Sequence, residues 1–139
     1  MKTLDGVKII GLTGQSGAGK TTASKLFESC GIPVIDCDVI ARRVADISEF
    51  LSEVDALFDG CVTDGSLNRQ KLAGIVFNDQ EKMRLYSSVI FPYIAAEVFS
   101  YIRKLKEFGS RLIILDAPTL FESGIDEICT AVVSVIAPF

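Results

Sequence analysis

The sequence contains no histidine, and its four cysteines are scattered along the chain without a CxxC pair. Structural zinc sites and disulfide frameworks both need clustered ligands or cysteines, so the composition argues against either. It favours a reducing compartment, and we expect a cytoplasmic protein. A net charge of −4 also leaves no general excess of positive charge for binding nucleic acid.

Long apolar runs are also missing. The segment LIIL is stopped by Asp116 and AVVSVIAPF is interrupted by Ser134, so neither reaches the length of a membrane span. The N-terminal MKTLDG lacks the character of a signal peptide. We therefore expect no membrane association, while the oligomeric state stays open.

Short apolar segments without polar alternation predict parallel strands that are buried on both faces of a sheet. Four such segments occur, at residues 7–12, 33–35, 112–115 and 131–136. Helical periodicity fills the long interval between the second and third segments. The order predicts a three-layer α/β protein with an inserted helical subdomain. The predicted division is a nucleotide-binding core of residues 1–37 and 110–139 and a substrate-binding insertion of residues 38–109.

Local signals predict where the inserted helices begin and end. Helices are expected at 38–45 and 47–58, before a loop at 61–67. Asn68 is the predicted N-cap of the next helix, and Asn78 with Glu81 resembles a capping box for the one after it. Pro92 is expected to break or kink that run. The last helix of the insertion is expected to end at Gly109.

The segment GQSGAGKT, residues 14–21, follows an apolar strand and opens a helix, and it matches the phosphate-loop pattern G-x-x-x-x-G-K-[ST]. Glycines let the backbone curl closely around phosphate oxygens, so that amide N–H groups and the helix N-terminus attract the anion. Lys20 is expected to reach the β- and γ-phosphates, and the Thr21 hydroxyl to hold Mg²⁺. The predicted phosphate-binding residues are Gly14, Gln15, Ser16, Gly17, Ala18, Gly19, Lys20, Thr21 and Thr22.

Two carboxylates, Asp36 and Asp38, follow the second predicted strand, where open α/β sheets bind ligands. They are candidates to orient or deprotonate an acceptor hydroxyl, or to contact Mg²⁺ indirectly. Asp38 is equally a candidate N-cap for the following helix. Cys37, which lies between them, completes no recognised set of metal ligands, and we interpret it as structural.

Residues 9–44 resemble the opening of the dephospho-coenzyme A kinases, with G-L-T-G-x-x-x-x-G-K-[ST], a helix, and then a D-x-D segment that ends in arginine. Three later segments, LNRQKLAGIVF, LDAPTLFESG and AVVSVIAP, are similar to the family's R-x-x-L-x-x-x-V-F, its P-L-L-[FI]-E and the strand that follows. The resemblance covers nearly the whole chain. The combination of segments is much more selective than the phosphate loop alone.

The resemblance implies a P-loop kinase-like fold and transfer of the γ-phosphoryl group of ATP, with Mg²⁺, to the 3′-hydroxyl of dephospho-coenzyme A. This reaction gives coenzyme A and ADP, the last step of coenzyme A synthesis. Lys20 and Asp38 would be catalytic, Asp38 as the acceptor-side carboxylate with Asp36 in support. Arg42 and Arg69 would face substrate phosphates, although a solvated helix surface is the alternative for each. The other substrate-binding residues that the resemblance implies are Pro118, Leu120 and Glu122.

Asp116 ends the third predicted strand, where P-loop proteins often hold a ligand of Mg²⁺-bound water. We therefore predict Thr21 and Asp116 as the metal-binding residues. The family pattern does not require an acid at this position, so a polar strand terminus is the alternative.

The sequence departs from the family pattern at Cys37, where alanine is usual, at Thr119, the first leucine of P-L-L, and at Phe91, where the family has histidine before proline. If that histidine holds substrate, acceptor binding is altered here; if it only packs, Phe91 is a core substitute. The family also continues into an arginine-bearing lid, a last strand and a terminal helix. We therefore expect a fragment with little or no activity, in which a hydrophobic fraction of 49% reflects surface that the rest would cover. The competing interpretations are another small-molecule P-loop kinase, for a nucleoside monophosphate or a sugar acid, and a nucleotide-binding fragment without turnover.

Overall fold

The computed structural model describes residues 6–14, 19–117 and 125–135. Its elements in chain order are β1 Lys8–Gly14, α1 Lys20–Ser29, β2 Val34–Asp36, α2 Cys37–Val44, α3 Ser48–Leu57, β3 Val62–Thr63, β4 Ser66–Leu67, α4 Arg69–Val76, α5 Gln80–Glu107, β5 Leu112–Asp116, a 3₁₀ turn Ile125–Ile128 and β6 Ala131–Val135. The chain divides into two compact units, one formed by Met1–Asp38 with Val98–Phe139 and the other by Val39–Glu97.

Four parallel strands form the sheet of the first unit, in the order β2-β5-β1-β6. Leu12 lies beside Asp116 in the register of β1 and β5, and Asp116 lies beside Asp36 in the register of β5 and β2. Because the strands run in one direction, their carboxyl ends share one edge of the sheet. The predicted α/β fold with a parallel sheet is confirmed.

The central strands β1 and β5 are covered on both faces, as their apolar sequences predict. The same prediction is wrong for β6, whose residues are exposed or half-buried because it is an edge strand of the sheet. In β5, four consecutive residues from Ile113 to Asp116 are buried, which is the pattern of a strand without a solvent-facing side. Ile9 and Leu12 of β1 are fully buried with them. The buried part of β5 therefore extends to Asp116 at the carboxyl edge of the sheet.

The second unit contains α3, α4 and the first part of α5. Phe50 of α3 is fully buried and makes edge-to-face contacts with Tyr86 and Tyr93 of α5, at centroid distances of 6.3 and 5.5 Å. The Tyr93 hydroxyl donates a hydrogen bond to the Glu53 carboxylate, and this bond raises the pKa of Tyr93 to about 12. These contacts fasten one face of α5 to α3.

The segment 61–67, predicted as a loop, contains a short antiparallel hairpin. Val62 pairs with Leu67 and Thr63 with Ser66, around Asp64 and Gly65. Both turn residues have positive φ, 53° and 74°, which is the backbone of a type I′ turn and the reason that Asp-Gly favours it. The loop prediction was wrong because strands of two residues leave no periodicity to detect, although the Asp-Gly signal was present.

Two of the helix-terminus predictions can be compared with hydrogen bonds. Asn68 caps α4 as predicted, since its side-chain oxygen accepts from the N–H of Lys71 at 3.1 Å. The capping box predicted from Asn78 is wrong. Asp79 caps α5 instead, because its carboxylate oxygen accepts from the N–H groups of Glu81 and Lys82 at 3.0 and 3.3 Å.

Helix α5 continues through Pro92 for 28 residues, so the helix does not break there. Proline removes one backbone donor and disfavours a helix interior, but Tyr86 and Tyr93, before and after it, both pack on Phe50. Tertiary contacts on each side therefore hold the helix together.

In the described ranges, α5 is also the one helix whose length and composition would allow it to cross a membrane. Its most apolar 18-residue window has a mean hydropathy of 1.3, and 11% of that window is buried. The sequence analysis did not find it because it divided the run at Pro92. One such helix is weak evidence, since core helices of other proteins pass the same test, and the expected absence of a membrane partner stays a prediction.

Candidate active site

Two glycines mark the ends of the predicted phosphate loop. Gly14 ends β1 with a φ of 148°, and a Cβ atom there would lie 2.6 Å from the carbonyl oxygen of Val135, so glycine alone fits. Gly19 precedes α1 with a φ of 94°, in the left-handed region that favours glycine. Gln15, Ser16, Gly17 and Ala18 lie outside the described residues, and their predicted phosphate contacts stay predictions.

Helix α1 begins at Lys20, directly after this loop. Gly19 offers no side chain to cap it, and the first turn contains no acidic residue. The first N–H groups of a helix lack intrahelical acceptors and carry the positive end of its dipole. Thr21 and Thr22 are exposed in this turn. The helix start therefore has the chemistry of an anion-binding site, as the motif predicts.

The Lys20 amine forms an ion pair with Oδ1 of Asp116 at the end of β5. The second carboxylate oxygen, Oδ2, accepts a hydrogen bond of 3.1 Å from the hydroxyl of Ser24. Ser24 and Asp116 are both only 7% exposed. Asp116 thus contacts α1 through both of its oxygens, which joins the first helix to the third strand of the core.

Sequence reasoning named Lys20 and Asp116 separately and did not name Ser24. The available signal was a small polar residue on the inward face of α1. The structure places Thr21 on the exposed side of that helix start. Its predicted metal contact, and that of Asp116, stay predictions.

The oxygen atoms available at this site suit Mg²⁺. Within the ranges that the structure describes, no group of three or more histidine, cysteine, aspartate and glutamate side chains could hold a metal ion. Mg²⁺ is usually held by one or two protein oxygens together with waters and substrate phosphates. The hydroxyl of Thr21 and the carboxylate of Asp116 therefore fit a metal that arrives with a nucleotide.

Asp36 and Asp38 have different positions at the end of β2. Oδ1 of Asp36 accepts a hydrogen bond of 2.9 Å from the N–H of Asp38, so Asp36 caps α2, which begins at Cys37. The alternative that Asp38 caps this helix is therefore wrong. The Asp38 side chain is exposed in the first helical turn, and the cap makes no use of its carboxylate.

Cys37 is buried between the two aspartates. Burial raises the pKa of its thiol from 9.0 to about 12, with further contributions from the charges of Asp116, Asp36 and Asp38. The thiol is therefore protonated at neutral pH and is neither a nucleophile nor a metal ligand. The interpretation of Cys37 as structural agrees with this environment.

The remaining predicted residues are less closely defined. Arg42 is exposed on α2, one turn after Asp38. Arg69 is exposed at the start of α4. Burial raises the pKa of Tyr86, and the charge of Arg69 acts on that pKa in the opposite direction. Phe91, at the position of the family histidine, is half-buried on α5. Pro118, Thr119, Leu120 and Glu122 lie outside the described residues.

Comparisons with known proteins agree with this arrangement. A family model described as dephospho-CoA kinase matches residues 8–139. A dephospho-CoA kinase from Lactobacillus johnsonii is 33% identical over 129 residues, which are 91% of this chain and 65% of that protein. One from Oryza sativa is 37% identical over 124 residues, 87% of this chain and 54% of that protein.

Solved structures support the fold. The crystal structure of a protein from Thermus thermophilus is 34% identical, with a TM-score of 0.79, and the match covers 95% of this chain and 66% of that one. A Campylobacter jejuni dephospho-CoA kinase, at 20% identity and a TM-score of 0.67 over 93% of this chain and 66% of that one, shows the fold alone.

The chain spans 65% and 54% of the length of the two curated relatives described above. The family model nevertheless matches nearly all of its residues. The resemblance inferred from the sequence is confirmed, and the chain belongs to the dephospho-CoA kinase family.

Proposed function

We propose that the protein transfers the γ-phosphoryl group of ATP to the 3′-hydroxyl of dephospho-coenzyme A, giving coenzyme A and ADP. The observation that carries the proposal is the position of Lys20. It opens α1 behind two glycines with positive φ and is held at the carboxyl edge of the sheet by Asp116. A lysine at that place serves to contact the β- and γ-phosphates of a nucleotide.

Residues 14–22 and Asp116 bind the nucleotide in this proposal. Backbone N–H groups of the loop and the start of α1 bind the phosphates, and Lys20 neutralises charge that develops on the transferred group. The Thr21 hydroxyl and the Asp116 carboxylate would hold Mg²⁺, which would supply positive charge to offset that of the nucleotide phosphates.

Asp38 acts on the acceptor in this proposal. Its carboxylate takes up or orients the proton of the 3′-hydroxyl, since the cap on α2 is supplied by Asp36. Asp36 supports this role by fixing the first turn on which Asp38 lies. We assign acceptor binding to Arg42, Arg69, Pro118, Leu120 and Glu122. The functional division is then a nucleotide core of residues 1–37 and 110–139 and an acceptor-binding insertion of residues 38–109.

The cellular setting follows from the same proposal. The four cysteines are free thiols, of which Cys30 is exposed, and this supports a reducing cytoplasm. The partners are ATP with Mg²⁺ and dephospho-coenzyme A, without nucleic acid or membrane.

An acceptor panel tests the proposal. The whole protein is incubated with Mg-ATP and dephospho-coenzyme A, a nucleoside monophosphate or a sugar acid, and ADP release is followed together with the mass of the acceptor. We expect dephospho-coenzyme A to gain one phosphoryl group and to be preferred at least a hundredfold. Preference for another acceptor would favour a different P-loop kinase. Nucleotide binding without ADP release from any acceptor would favour the alternative without turnover.

A further inference from the structure

The two oxygens of the Asp116 carboxylate have separate partners on α1. Oδ1 pairs with the Lys20 amine, and Oδ2 accepts from the Ser24 hydroxyl at 3.1 Å. Lys20 and Ser24 are four residues apart and therefore lie on one face of the helix. Asp116 comes from a strand 92 residues away from Ser24 in sequence. This contact is therefore tertiary and independent of helix formation.

A serine inside a helix usually satisfies its hydroxyl locally, by donating to a carbonyl of the preceding turn. Ser29 on the same helix does this, since its hydroxyl donates to the carbonyl oxygen of Leu26 at 2.7 Å. Ser24 is 7% exposed and donates instead to a carboxylate. A hydrogen bond to a charged acceptor is stronger and more directional than a neutral one. The structure thus uses Ser24 to fix the orientation of Asp116.

If the loop binds a nucleotide as proposed, the contact of Asp116 with Lys20 must break, whereas its contact with Ser24 can stay. Lys20 has a flexible stem of four carbons, and its amine must leave Asp116 to reach the phosphates. Ser24 has a single short side-chain torsion on a rigid helix, so its bond does not need to change. During that exchange, Ser24 is the contact that keeps a buried carboxylate oriented.

We propose that Ser24 is a positioning residue for phosphoryl transfer, whose hydroxyl holds Asp116 so that one carboxylate oxygen faces the Lys20 amine. The proposal rests on the proposed function and adds to it a residue that acts only through Asp116. Its consequence in the ligand-free protein is a persistent ion pair that shields Lys20 from reagents.

Lysine labelling tests the ligand-free part without any enzymatic assay. The protein is acetylated with an N-hydroxysuccinimide ester, and the rates at Lys20 and at exposed Lys25 on the same helix are read by mass spectrometry. We expect Ser24→Ala to raise the Lys20 rate relative to Lys25 at least threefold, and Asp116→Asn to raise it further. Ser29→Ala, which removes a hydroxyl from the same helix, is the matched control and should leave the ratio unchanged.

Circular dichroism separates positioning from a general loss of structure, which would also expose Lys20 while Lys25 is exposed already. If Ser24→Ala loses its helical circular dichroism, Ser24→Cys replaces it, because sulfur is similar in size and a weak donor; we expect an intermediate ratio. A folded Ser24 variant with the wild-type ratio would overturn the proposal.

Kinetics of the whole protein test the reaction part. We expect Ser24→Ala to lower kcat about tenfold, as loss of an outer-shell partner commonly does, while KM for dephospho-coenzyme A stays within about twofold. In an Asp116→Asn background, Ser24→Ala should have no further effect, because its role passes through Asp116. An equal loss in both backgrounds would contradict the proposal. If the wild-type protein phosphorylates no acceptor, the proposed function fails, and the labelling ratios still decide whether Ser24 positions Asp116.

Discussion

Replacing Asp38 by asparagine should abolish most of the activity while leaving the fold intact. The structure sharpens this expectation, because Asp38 contributes its backbone N–H to the cap of α2 and not its carboxylate. Asparagine retains that backbone N–H, and its side chain would be exposed like that of Asp38. General-base loss typically costs 10²–10⁴-fold in rate, which is roughly 3–5 kcal/mol of barrier. We expect kcat to fall at least a hundredfold.

Asp36 provides the complementary change. Asparagine caps helices about as well as aspartate, so Asp36→Asn should leave stability nearly unchanged. Asp36→Ala removes the 2.9 Å bond to the N–H of Asp38 and should cost about 1 kcal/mol. For a chain of this length that is a decrease in Tm of roughly 3–5 °C. Asp36→Ala should therefore lower stability more than Asp38→Asn does, and kcat less.

The assay measures kcat at saturating Mg-ATP and dephospho-coenzyme A, with a thermal melt and an ATP titration of each variant. Asp55→Asn, a change of an exposed carboxylate on α3, is the matched control and should behave as wild type in all three. A kcat for Asp38→Asn within about threefold of wild type would remove Asp38 from the chemistry. A large decrease in Tm for the same variant would show that the carboxylate has a structural role.

Three further outcomes are expected. Lys20→Ala should abolish turnover and weaken ATP binding in a fluorescent-nucleotide titration. It should also destabilise the fold by about 1–3 kcal/mol, because it leaves the Asp116 carboxylate buried without its cation. Lys25→Ala is the control. Gly14→Ala should destabilise the protein by roughly 1–3 kcal/mol in urea unfolding, because the added Cβ would meet the Val135 carbonyl. Gly74→Ala in α4 should be neutral or stabilising, because a Cβ there meets nothing within 4 Å. The pKa of Cys37 is raised from 9.0 to about 12, so the contribution of the protonated thiol to stability is complete below pH 9 and is lost as the pH rises towards 12. The loss is at most about 1.4 kcal/mol per pH unit. In urea unfolding across that range, the free energy of unfolding should fall less steeply with pH for Cys37→Ala than for the wild type.

Much of the first unit could be predicted because its signals are local. The apolar runs that became β1 and β5 are recognised by the lack of polar alternation that burial on both faces requires. The run that became β6 is recognised in the same way, although its residues are exposed or half-buried. The phosphate loop joins a strand to a helix within a few residues, so its spacing predicts a phosphate-binding site from local sequence. The order of the strands in the sheet was not predicted, because it depends on the pairing of distant segments.

Two of the misses, at Pro92 and Ser24, depend on what a segment contacts and not on its own composition. Pro92 disfavours a helix locally, and packing of Tyr86 and Tyr93 on Phe50 overrides it. Ser24 carries no motif, and its role depends on Asp116, 92 residues away. Asp38 was the candidate cap of α2, and Asp36 supplies the cap instead, because the helix begins at Cys37, before the segment from which the cap was predicted.

The charges at the carboxyl edge have a consequence for how the proposed ligands bind together. Asp36 and Asp116 lie beside each other in the sheet register. The Asp36 carboxylate accepts the cap hydrogen bond of α2, while Asp116 is paired with Lys20. If Lys20 turns towards phosphates, the buried Asp116 carboxylate loses its cation and keeps, among the contacts of the described residues, the hydrogen bond from the Ser24 hydroxyl. An uncompensated buried carboxylate is costly, and a divalent cation held there would remove that cost. We therefore expect the binding of nucleotide and of Mg²⁺ to be coupled through Asp116, and by reciprocity each would strengthen the other by the same factor.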